Sequence, residues 1–127
     1  MKENSAILIR ELAERFAALA DETRLRILIR LKQGECNVRT LSEELGVAQP
    51  SVSKHLSVLE RNGFVAIRRV GTQSLCRLSD PDLMQICALV CDVVSRQVRT
   101  RAKAVTGRNL SPFVSQVSSS KRKPIKE

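Results

Sequence analysis

Three groups of residues in this chain have the types and spacing to do chemistry. Cys87 and Cys91 lie four apart in an apolar run. On a helix that spacing puts both thiols on one face, with their β-carbons about 6 Å apart. Two such thiolates can grip one soft ion, As(III) or Zn(II), whereas a disulfide between parallel side chains on one helix would be strained. The competing reading is packing. Met84, Ile86, Ala88, Leu89, Val90, Val93 and Val94 make the run apolar nearly all round, and free cysteine is a common small core residue. Under that reading the pair holds no cofactor. Cys36 and Cys76, far apart in the chain, read as packing residues.

The second group is the polar set Gln49, Ser51, Ser53, Lys54 and His55. Amide and hydroxyl groups on one helical face read base edges in a major groove, and Lys54 and His55 meet phosphate. The third is a run of arginines, Arg68 and Arg69 with Arg77, flanking Gly71-Thr72-Gln73. A basic turn of that kind reaches a minor groove or the flanking backbone, or it is charge guarding an exposed strand edge. Catalysis finds no support. His55 is the one histidine, nothing near it completes a dyad, and Ser53 and Ser57 flank it without an oxyanion-type turn. There is no Gly-rich phosphate loop and no zinc-enzyme ligand spacing. The chain reads as a binding protein and not an enzyme.

These residues need elements to hold them. Ile7, Leu8, Leu12, Phe16 and Leu19 recur at helical spacing and predict a first amphipathic helix. Asp21 is placed to cap a second, from about Glu22 to Lys32, with Leu25, Leu28 and Leu31 inward and Gly34 as its stop. Asn37 caps a short third, Val38–Leu45, closed by Gly46. Pro50 suits the first turn of a fourth, from about Gln49 to Arg61, with Val52, Leu56 and Leu59 buried. Phe64–Val70 and Gln73–Leu78 form a hairpin about Gly71-Thr72. A fifth helix starts at Asp80-Pro81, apolar from Leu83 to Val94 and basic from Arg96 to Lys103. Two helices joined by a four-residue turn and followed by a basic hairpin make a winged helix-turn-helix. The fold class is mainly α with a small β-hairpin (α+β).

Charge sorts the chain further. The net charge is +9, yet nine Lys and Arg against one acid fall between Arg96 and Glu127. The stretch 48–78 is also basic, so the charge that points to an acidic partner sits in two separate segments, and for the tail the competing reading is a solvated extension. The predicted layout is a DNA-binding and dimerisation domain over 1–104 and a basic, disordered tail over 105–127. Acidic residues Glu3, Glu11 and Glu14 in the first helix argue against a secretory signal, and no window is apolar enough to span a membrane. Localisation is read as cytoplasmic, where four cysteines would stay reduced.

Several separated stretches resemble one family. Leu19-Ala20-Asp21-Glu22-Thr23-Arg24-Leu25-Arg26-Ile27-Leu28 resembles the second-helix signature of the ArsR/SmtB repressors. Ser51-Val52-Ser53-Lys54-His55-Leu56-Ser57-Val58-Leu59-Glu60-Arg61-Asn62-Gly63-Phe64-Val65 resembles their recognition helix and the start of the wing, and Leu78-Ser79-Asp80-Pro81 the end of it. The resemblance, covering about Phe16 to Cys91, implies a homodimer pairing through helices 1 and 5. It also implies repression relieved by a metal, metalloid or thiol-reactive signal. The sequence departs from the family at the sensing site. Where many members carry a Glu-Leu-Cys-Val-Cys-Asp-Leu box, this chain has Glu35-Cys36-Asn37-Val38-Arg39-Thr40-Leu41, so Asn37 and Arg39 replace both cysteines. The acidic and histidine ligands of the family's last-helix zinc site are missing too, leaving Cys87 and Cys91. The function implied is a sequence-specific repressor on operator DNA. The alternative is a winged-helix module for another protein or RNA, though three Phe and no Tyr or Trp offer little for base stacking.

Overall fold

The computed structural model describes residues 2–105 of the 127-residue chain, and these divide into two compact units that part between Asp80 and Pro81. The first unit runs α1 (Lys2–Leu19), α2 (Glu22–Leu31), β1 (Cys36–Asn37), α3 (Val38–Leu45), α4 (Gln49–Arg61), β2 (Val65–Val70) and β3 (Gln73–Leu78). The second holds α5 (Leu83–Val105). The mostly helical architecture with its hairpin is the predicted one.

Local chemistry sets the helix ends. Asp21 accepts from the Arg24 backbone N–H at 3.0 Å, and Asn37 from that of Thr40 at 2.6 Å. Each cap satisfies a donor that the first helical turn leaves orphaned, a contribution of about 1 kcal/mol. Gly46 ends α3 in the left-handed region at φ 64°, a conformation that costs a side-chain-bearing residue more than glycine.

The core of this unit gathers Ile27, Leu28 and Leu31 from α2, Leu41 from α3, and Val52, Leu56 and Leu59 from α4, with Phe64 and Val65 closing it. The predicted stripe of α4 is the buried one. That of α2 is rotated: Leu25 is 38 % exposed and Ile27 fully buried, because the helix points its 27, 28 and 31 positions inward. Among the described side chains of α1 only Ala18 is buried, while Ile7, Leu8, Leu12 and Phe16 are exposed.

The hairpin pairs Val65 with Leu78 through to Val70 with Gln73, leaving Gly71-Thr72 as a two-residue turn. A third strand was not predicted. β1 lies antiparallel on the far edge of β3, in the order β1-β3-β2, with Cys36 opposite Cys76 and Asn37 opposite Leu75. Two residues carry no alternation to read, and the strand exists because β3 offers it an edge.

In the second unit α5 begins at Leu83, slightly later than predicted, and exposes Ile86, Leu89, Val90, Val93 and Val94. The predicted tail, 105–127, lies outside the described residues except for Val105.

Candidate nucleic-acid interface

The turn between α3 and α4 is held from inside. Ser42 Oγ donates to the Val47 carbonyl at 2.6 Å, and Val47 N–H returns to the Ser42 carbonyl at 3.2 Å. With Leu41 and Val52 both fully buried, the pair of helices is a fixed unit and the polar side of α4 faces outward. Gln49, Ser53 and Lys54 are exposed, and Ser51 is half-buried at the first turn.

Between this helix pair and the hairpin turn lies an open cleft of about 270 Å³. Gln49 and Ser53 line it from α4, Thr72, Gln73 and Ser74 from the turn and β3, and Asn37, Val38 and Arg39 from the start of α3. The structure thus brings three predicted residues, Gln49, Ser53 and Gln73, to one concave polar surface. Arg39, Asn37, Thr72 and Ser74 were not read from the sequence as contacts to nucleic acid. For Arg39 a signal existed: a cation in the first turn of the helix preceding the polar one. It is largely exposed and its Nε contacts Glu43 at 3.2 Å.

Two predicted residues have protein partners. His55 is half-buried on α4 and turned toward the start of α2. Its Nδ1 lies 3.2 Å from Arg24 Nη1 and 3.7 Å from Asp21 Oδ2. Arg24 in turn donates through Nε to the Ala18 carbonyl at 2.5 Å, so this cluster ties α4 to the α1–α2 junction. The backbone N–H of Arg24, followed by the nearby His55 and the Arg24 guanidinium, holds the Asp21 carboxyl below the usual carboxylate range against a smaller opposing effect of burial. Arg68 forms a two-pronged pair with Glu35, at 2.7 and 3.1 Å. That bond lowers the Glu35 pKa and raises that of Arg68. Arg69 is exposed next to the turn.

The cysteines form two pairs. Cys36 and Cys76 are buried, as the packing reading expects. Cys87 and Cys91 are half-buried on α5, and burial, then the neighbouring Cys91, pushes the Cys87 thiol up. Among the described residues no group of three or more His, Cys, Asp or Glu is placed to hold a metal ion. Nor, among them, is any helix long and apolar enough to cross a membrane.

Residues 21–66 match the family described as bacterial regulatory protein, arsR family. The chain is 36 % identical over 97 residues to the arsenical resistance operon repressor of Escherichia coli (strain K12), covering 76 % of this chain and 81 % of that protein. It is 39 % identical over 74 residues to the probable mercury resistance operon repressor of Streptomyces lividans, covering 58 % of this chain and 59 % of that one. The chain therefore spans less than two thirds of the latter relative's length. Among solved structures it resembles the homodimeric winged helix-turn-helix DNA-binding domain of Mb0332 from Mycobacterium bovis, a possible ArsR-family transcriptional regulator. That likeness has a TM-score of 0.72 at 31 % identity, over 79 % of this chain and 93 % of that one.

Proposed function

The chain belongs to the ArsR family of bacterial regulatory proteins, and from that premise we propose that it is a sequence-specific repressor binding duplex DNA as a homodimer. The observation that carries this reading is the polar cleft between α4 and the hairpin turn, open to solvent and lined by Gln49, Ser53 and Gln73. A helix with its side chains is about 10–12 Å across, the width of a B-DNA major groove. Seated there, Gln49 pairs with an adenine edge and Ser51 and Ser53 meet bases or phosphate. Lys54 and Arg69 neutralise phosphates, and the turn at Gln73 reaches the neighbouring groove. His55 and Arg68 reach DNA only by exchanging their partners, Arg24 with Asp21 and Glu35, for phosphate.

The dimer reading rests on apolar surface. Ile7, Leu8, Leu12 and Phe16 on α1 are each at least 44 % exposed, and α5 exposes a similar set. Contiguous patches of that kind on a small protein mark association surfaces. We assign the effector signal to Cys87 and Cys91, as the two-thiolate edge of a soft-ion site. A four-coordinate ion needs more than two ligands, and a second copy of α5 would bring two further thiolates.

The test is binding of the reduced full chain to its own upstream DNA in the presence of excess nonspecific duplex. Binding through several phosphates should weaken steeply as salt rises. Lys54→Ala and Arg69→Ala should lower affinity alike on all sequences, while Gln49→Ala also relaxes sequence choice by about 1–3 kcal/mol at one base pair. Unchanged binding in all three variants would sink the assignment of this face. For the signal, As(III) or Zn(II) should release the wild type and leave a Cys87→Ser/Cys91→Ser variant bound. Equal release of both would remove these thiols from the site.

A further inference from the structure

Cys36 and Cys76 stand forty residues apart in the chain and directly opposite one another across β1 and β3. Opposed residues on antiparallel strands have α-carbons about 4.5–5.5 Å apart, inside the window a disulfide requires. Cys76 Sγ donates to the Cys36 carbonyl at 3.1 Å. Cys76 is fully buried and Cys36 is 8 % exposed. We propose that this pair is a cross-strand dithiol that a low-molecular-weight disulfide oxidises to an intramolecular disulfide, and that closing it weakens DNA binding. The second half rests on the function proposed above.

The two thiols are unequal, and the difference sets the order of events. Cys36 sits on the two-residue edge strand, where local opening exposes it at little cost. Burial raises its pKa, and the Arg30 guanidinium works against that rise. Cys76 lies on the central strand, and burial followed by the neighbouring Cys36 pushes its thiol up to about 12. Cys36 therefore attacks first. Its thiolate takes one sulfur of the small disulfide, forming a mixed disulfide and expelling one small thiolate, which acquires the proton Cys36 has lost. Cys76 then attacks Cys36 Sγ, expelling the second small thiolate, which acquires the proton of Cys76. Two electrons leave the cysteine pair and two small thiols appear. Burial makes the first step slow, while the fixed register makes the second fast.

The consequence for DNA follows from what the pair joins. Cys36 is followed by Asn37, whose side chain caps α3, and Cys76 lies two residues from Ser74. Asn37 and Ser74 both line the cleft between α4 and the hairpin turn. A disulfide holds its β-carbons about 3.8 Å apart, against about 4.5–5.5 Å for opposed cross-strand residues. Closure draws β1 and β3 together by roughly 1 Å at the base of the cleft, and re-aims the turn relative to α4.

The experiment equilibrates the reduced full chain with hydroxyethyl disulfide and mercaptoethanol, quenches in acid, alkylates the free thiols and maps the peptides by mass. A Cys36–Cys76 linked peptide lacking two hydrogens should accumulate, in the Cys87→Ser/Cys91→Ser background as in the wild type. Cys76→Ser should stop at a mixed disulfide on Cys36. Recovery of both residues as alkylated thiols at equilibrium, or a Cys87–Cys91 link alone, would overturn the proposal. In the Cys87→Ser/Cys91→Ser background, oxidation should weaken operator binding by about tenfold, and excess mercaptoethanol should restore it. Unchanged affinity at full crosslinking would overturn the regulatory half. Reduced protein that binds no operator would instead refute the function proposed above, and the mass map still decides the dithiol.

Discussion

Cys87 and Cys91 share a face because a helix repeats every 3.6 residues, and any helix through them would bring them together. Cys36 and Cys76 meet only because β1 and β3 pair in one register. A slip of one residue would send one of the two thiols to the other side of the sheet. The helical pair is half-buried and the sheet pair buried. Proximity encoded locally survives changes elsewhere in the fold, whereas proximity encoded by tertiary pairing is lost with the fold and reports on it.

Substitution should separate the two pairs most clearly. Cys76→Ser places a hydroxyl in a fully buried site, at a cost of about 1–3 kcal/mol, while Cys87→Ser on α5 should cost well under about 1 kcal/mol. Urea midpoints compare them directly, and equal losses would break the distinction. Alkali sharpens the same contrast. Unfolding returns Cys76 from about 12 toward its ordinary 9.0, so above pH 9 the folded chain binds more protons than the unfolded one. Its contribution to stability is complete below that pH and is lost as pH rises from 9 toward 12. Midpoints taken at pH 8 and 10 should fall in the wild type and fall less in Cys76→Ala.

A smaller effect tests how a local contact depends on its tertiary setting. Asn37→Ala removes the α3 cap made to Thr40 and should cost about 1 kcal/mol. Because Asn37 is also a residue of β1, the change should speed hydrogen exchange at the β1–β3 pair as well as in the first turn of α3. Exchange altered in α3 alone would show that strand and cap are independent.

The smallest stability change concerns Glu35 and Arg68, a pair that only the folded chain brings together. Glu35→Gln should leave the urea midpoint almost unchanged, since exposed ion pairs are worth little. It frees Arg68, and under the proposed function it should tighten DNA binding and steepen its salt dependence. Unchanged affinity would mean that Arg68 does not reach DNA.

Much of the fold was legible in the sequence because its signals are local. Asp21 and Asn37 announce helix starts, Gly46 announces a stop, and the spacing of Val52, Leu56 and Leu59 gives the buried side of α4 and hence its polar side. Gly71-Thr72 sets the hairpin register by itself, since a two-residue turn leaves one pairing. The candidate site was legible in part: Gln49, Ser53 and Gln73 were picked by type and position and line one cleft, whereas Ser51, Lys54, His55, Arg68 and Arg69 are not among its lining residues.

What the sequence left open were partners rather than elements. Nothing near His55 in the chain points to Arg24 and Asp21, and nothing near Arg68 points to Glu35, thirty-three residues away. The strand at Cys36–Asn37 is too short to leave a pattern, and its thiol finds Cys76 only once β3 is in place. Elements depend on backbone chemistry repeated every few residues, so a single sequence carries them. Contacts between distant side chains depend on how those elements dock. Docking is settled by the packing of Ile27, Leu41, Leu56 and Leu59 in the core, which no local run of residues contains.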